Sequence, residues 1–69
     1  MKYAELTRKL RQLGCHYVRE AAGSHEIWRN PAARKQAPVP YHRSKDIGPT
    51  LLSNILRQLG IDRDAFDNA

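Results

Sequence analysis

The segment "APVPY" (residues 37–41) constrains this chain more than any other. Its valine and tyrosine suit an extended strand, yet Pro38 and Pro40 carry no amide hydrogen and donate nothing to a ladder. Both prolines have the same parity, so the residues between them still offer one complete edge to a neighbour. Such a strand is an edge strand, or only half paired.

Two more strands precede it. "CHYVRE" (residues 15–20) mixes aromatic and β-branched residues, and "SHEIWRN" (residues 24–30) does likewise. Residues 21–24 connect them, with Gly23 free to take a positive φ. Asn30-Pro31 opens a turn, and "PAARKQ" (residues 31–36) reads as a polar hairpin loop. Amphipathic segments flank the strands. Tyr3, Leu6, Leu10 and Leu13 recur at helical spacing until Gly14 ends the pattern. "HRSKDI" is a loop; Gly48-Pro49 then opens a second helix with Leu51, Leu52, Ile55, Leu56 and Leu59 on one broad face, closed by Gly60. In "DRDAF" an aspartate is positioned to cap a short last turn, and Phe66 to fold back onto the core.

The expected class is α+β in the order α-β-β-β-α: a three-stranded antiparallel sheet with two helices on one face. Residues 1–69 form a single domain on this reading, with no repeat or linker. The double-stranded-RNA-binding domain shares that order, although a shared fold carries no function by itself. With 69 residues the core must be thin. Cys15 is the lone cysteine, so no internal disulfide supports the fold, and it reads as a small buried hydrophobe. No apolar run approaches a membrane span and the N-terminus lacks a signal-peptide core, so a cytoplasmic protein is expected.

Twelve Lys and Arg against seven Asp and Glu give a net charge of +5, which favours an anionic partner. The placement is sharper than the total. Between Glu26 and Asp46 there is no acid, while Arg29, Arg34, Lys35, Arg43 and Lys45 all fall there. That segment reads as a phosphate-binding footprint or, alternatively, as a solvated basic face.

"GSHEIW", then "VPYH" after a polar turn, then "KDIGPTLLSNILRQLGI" together resemble the HicA family of type II toxin–antitoxin systems. "KYAELTRKLRQLGC" and "IDRDAF" resemble the family's ends, so the likeness covers nearly the whole chain. The resemblance implies a double-stranded-RNA-binding-domain-like fold, an mRNA interferase activity, neutralisation by a HicB-type antitoxin, and a catalytic role for His25. Two departures stand out: one more residue than the common form between the arginine and glycine of "REAAGSH", and Pro49 after Gly48 at the entry to the last helix.

RNA brings its own nucleophile, the 2′-hydroxyl. The protein must take that proton, protonate the leaving 5′-oxygen and stabilise charge on phosphorus. Histidine suits proton transfer because its ordinary pKa of about 6.5 keeps both forms populated near neutrality. Arginine and lysine suit the phosphate. His25 is thus the expected general acid or base, with Arg29, Arg34, Lys35, Arg43 and Lys45 on RNA. His42 is either a second proton-transfer or phosphate contact, or a loop-packing residue. His16 reads as a surface strand residue. Neither metal nor cofactor is called for, and no pair of residues has zinc-site spacing. Trp28 either stacks a base or packs. Strand parity puts His25, Ile27 and Arg29 on one face and Ser24, Glu26 and Trp28 on the other, without saying which face is inside. A non-catalytic RNA- or DNA-binding module, an inactive toxin of the same fold, or a protein-interaction subunit would share the charge and the element order.

Overall fold

The computed structural model describes residues 1–41 and 45–69. Its elements are α1 (Tyr3–Gln12), β1 (His16–Ala21), β2 (His25–Asn30), β3 (Lys35–Pro40), α2 (Pro49–Leu59) and α3 (Arg63–Asp67). The strands form one antiparallel sheet in the order β1-β2-β3. Leu6 and Leu10 of α1 and Leu52, Ile55, Leu56 and Leu59 of α2 are buried with Trp28, Ala37 and Val39 of the sheet in one core.

Both helices cover the same face. Glu26, Trp28 and Asn30 share a parity on β2. Tyr3 of α1 donates to Glu26 Oε1 at 2.5 Å, and Asn30 Nδ2 donates to the Leu59 carbonyl of α2 at 2.8 Å. The two helix starts are tied as well: the Ile47 amide donates to the Met1 carbonyl at 2.7 Å. At the other end Asp62 caps α3 by accepting from the Ala65 amide. Phe66 is then buried completely, with Lys9 of α1 lying 5.0 Å from its ring.

The prolines of β3 are accommodated by register. Pro38 stands opposite Ile27 and Pro40 opposite His25, while the Tyr41 amide donates to the Ser24 carbonyl at 2.7 Å. Since amides alternate between the two sides of a strand, odd-numbered residues of this segment address β2 and even-numbered ones face outward. The missing hydrogens of Pro38 and Pro40 are thus on the free edge.

Four details differ from the sequence reading. β1 runs to Ala21, so Ala21 is paired strand opposite His25 rather than part of the connection. β3 begins at Lys35, so Lys35 and Gln36 are paired strand rather than loop. The turn is shorter because Arg34 itself adopts φ 56°, a left-handed conformation that glycine usually takes. Leu51 is exposed, since only residues spaced like Leu52, Ile55, Leu56 and Leu59 reach the sheet. Finally, β1 contains an irregularity: Tyr17 pairs with Trp28 but Arg19 pairs with Ile27, leaving Val18 without a partner.

Candidate functional site

Trp28 is fully buried, which decides the parity of β2. Its indole N–H donates to Glu26 Oε1 at 3.1 Å, Arg11 lies 5.0 Å from its ring and Tyr17 meets it edge-on. No face of the ring is left for a base. His25, Ile27 and Arg29 consequently lie on the side of the sheet that carries no helix.

His25 is the first residue of β2, opposite Ala21 on one side and Pro40 on the other. The loop before it spans residues 22–24, with Gly23 at φ 64°. A left-handed residue in a short hairpin loop lets the chain reverse without splaying the strands, and glycine takes it at no steric cost. Space is not the constraint there. A methyl group at Gly23 would lie 3.8 Å from His25 Nδ1, an ordinary contact. The Tyr41 amide donates to the Ser24 carbonyl, so the backbone leading into His25 is held from the β3 side.

The imidazole is exposed and borders an open concavity of about 260 Å³ that Glu20, Ser24, Glu26 and Tyr41 also line. Glu26 is engaged by Tyr3 and Trp28 and belongs to the packing. The same contacts act on Tyr3: partial burial, then the hydrogen bond to the carboxylate, push its phenol well above the usual tyrosine range. Tyr41 meets the Tyr3 ring edge-on at 4.8 Å. Glu20 is exposed and directly opposite Glu26 in the register. Burial raises the Cys15 thiol above its ordinary value, in keeping with an inert packing residue.

The described basic residues do not form one patch. Arg29 shares the face of His25 but stands four residues along the strand, roughly 13 Å away at strand rise. Arg34 lies in the turn beyond it, and Lys35 has the opposite parity, its side chain running beside Gly60 at the end of α2. Lys45 is exposed and borders a small concavity with Pro40, Ile47 and Leu51. His42 and Arg43 lie outside the described residues. His16 is exposed opposite Arg29. Sequence reasoning passed over Arg19, which the register places on the helix-free face across from Ile27. Its parity is hidden by Val18, which carries no glycine or proline signal of a bulge.

Among the described residues no three His, Cys, Asp or Glu side chains gather as metal ligands, and no helix is long and apolar enough to cross a membrane. A family model described as "HicA toxin of bacterial toxin-antitoxin" matches residues 3–61. No curated protein and no solved structure matches the chain.

Proposed function

The chain belongs to the HicA toxin family, and from that premise we propose that it is an mRNA interferase whose proton-transfer residue is His25. As a toxin of a toxin–antitoxin system it has an antitoxin as partner. We take that antitoxin to be of the HicB type and its effect to be relief of translational arrest.

The observation that carries the reading is His25 itself. An exposed imidazole stands at a strand start, on the helix-free face, after a left-handed turn at Gly23 and with the Ser24 carbonyl before it held by the Tyr41 amide. A group held in this way reaches a bound strand of RNA without rearrangement of the fold. The reaction follows from RNA chemistry. The 2′-oxygen loses its proton and attacks the adjacent phosphorus. The bond from phosphorus to the 5′-oxygen breaks, leaving a 2′,3′-cyclic phosphate and a 5′-hydroxyl once that oxygen gains a proton. His25 performs one of the two transfers, an effect of about 10²–10⁴-fold for a positioned acid or base. The net charge of +5 draws RNA to the protein.

The test is induction of the wild-type chain and of His25→Ala in a bacterial host, following growth and transcript length. Wild type should arrest growth and shorten transcripts. His25→Ala should do neither while still retaining RNA at low salt. Equal degradation by both proteins would remove His25 from the mechanism. Retention of RNA without cleavage by either would leave a binding module.

A further inference from the structure

We infer that Arg19 is the cation that contacts the scissile phosphate beside His25, and that the irregularity at Val18 puts it there. The inference rests on the cleavage reading above and adds a residue to it.

The chemistry requires positive charge close to the proton-transfer group, because negative charge grows on the phosphorus oxygens as the 2′-oxygen attacks. Among the described residues the concavity at His25 does not supply it: its charged lining side chains besides His25 are Glu20 and Glu26. The adjoining sheet face does carry positive charge. Among the described residues that face carries two arginines, Arg19 and Arg29.

Their positions differ in a useful way. Arg19 is directly opposite Ile27, the next outward residue after His25, so it is a diagonal neighbour of the histidine. Diagonal pairs on one sheet face have Cα atoms about 7–8 Å apart, within reach of a long side chain. Arg29 is one further outward position along the strand and does not have that proximity. Lys35 has the wrong parity. Arg19 is exposed, and among the described residues its guanidinium makes one hydrogen bond, from Nη1 to the neighbouring Glu20 carbonyl at 3.3 Å. It is free to turn towards a phosphate.

Without Val18's omission from the ladder, Arg19 would not be on this face. Regular pairing onward from Tyr17 and Trp28 would set Val18 against Ile27 and Arg19 against Glu26, on the helix side. Leaving Val18 unpaired reconciles two registers. Tyr17 keeps its contact with Trp28 inside, and Arg19 and Ala21 join Ile27 and His25 outside. Re-aiming a side chain is a recognised consequence of a bulge.

The experiment compares Arg19→Gln, Arg19→Lys and Arg29→Gln in the full chain on an end-labelled messenger transcript. Single-turnover rates are measured at saturating protein, and dissociation constants are measured for the same substitutions in a His25→Ala background. Arg19→Gln should lower the rate about 100-fold, in the range seen when one stabilising donor is removed, and weaken binding less than tenfold. Arg19→Lys should recover about tenfold of that loss, since it keeps the charge but not the fork geometry. Arg29→Gln should weaken binding yet leave the saturated rate within about threefold, as for a phosphate contact away from the reacting atoms. Circular dichroism on each variant separates loss of chemistry from loss of fold. A rate for Arg19→Gln equal to wild type, or an equal fall for both glutamines, would overturn the assignment of Arg19 while leaving His25 standing. A wild-type chain that cleaves no RNA, or a His25→Ala chain that cleaves it fully, would overturn the underlying reading and this one with it.

Discussion

Asn30 sits at the opposite end of β2 from His25 and is buried, yet its amide is the sheet's direct link to the end of α2. After Leu59 the helix closes with the Gly60 amide on the Arg57 carbonyl and the Ile61 amide on the Leu56 carbonyl. The Leu59 carbonyl is one of the helix-end acceptors with no partner further along the helix, and Asn30 Nδ2 reaches it at 2.8 Å. Asn30→Ala removes the donor and leaves a buried carbonyl unsatisfied, which costs about 1–3 kcal/mol. A domain of this length has a total stability of roughly 3–10 kcal/mol, so the loss is a large share. Converted at about 4–8 °C per kcal/mol, the midpoint should fall by roughly 5–20 °C. Asn30→Asp should be worse at neutral pH, because a carboxylate then faces a carbonyl at the negative end of a helix. Acidification should narrow its gap to the alanine variant, since the protonated acid can donate again. Thermal and urea melts followed by circular dichroism and by Trp28 fluorescence measure both. An alanine variant within about 0.3 kcal/mol of wild type, well under the expected cost, would refute the reasoning. So would an aspartate variant as stable as wild type at pH 7.

Gly60→Ala should lower stability by at least about 1 kcal/mol, because φ is 68° and the added carbon would meet Ala33 Cβ at 3.0 Å; a urea midpoint checks it. The raised phenol of Tyr3 gives a pH signature. The folded state keeps that proton longer than the unfolded state, so its contribution is complete below the ordinary tyrosine pKa of about 10 and declines as pH rises beyond it. Tyr3→Phe should therefore lose less stability above pH 10 than wild type does, measured by denaturant midpoints across that range. Cys15 should react with a thiol-specific disulfide reagent only at the rate of unfolding, because it is 4% exposed and its thiol is held protonated by burial. Arg29→Gln should reduce the slope of log affinity against log salt by about 0.7 for single-stranded RNA, the value expected for one lost phosphate contact.

The helices and the border position of β3 were legible because each has a local signal. Leu52, Ile55, Leu56 and Leu59 repeat at helical spacing, Gly14 and Gly60 mark the ends, and two prolines of one parity exclude a central strand. The start of β3 was not legible. Its turn ends on Arg34 in a left-handed conformation, and an arginine there gives no warning that glycine would have given. Leu51 read as core because a run of leucines widens the apparent face, while the sheet reaches only one side of the helix. The same limit applies to Val18. A bulge is a compromise between two registers, one set by Tyr17 against Trp28 and the other by the hairpin at Gly23, and neither is written locally.

The face that His25 uses depended on a choice between neighbours. Ile27 and Trp28 are both apolar and adjacent, so alternation alone puts either one inside. Area favours the indole, which buries about 150–250 Å², but burial also requires an acceptor for its N–H. Glu26 supplies one from two residues earlier on the same face, and Tyr3 on α1 donates to the same oxygen. That carboxylate would be costly to hold near the core alone; with two donors it fastens the first helix to the second strand. Once Trp28 and Glu26 point inward, His25, Ile27 and Arg29 have no alternative but the open side. The position of the imidazole therefore follows from the packing of its sequence neighbours. Replacing Glu26 would disturb His25 through the register of β2 even though the two side chains occupy opposite faces of the sheet.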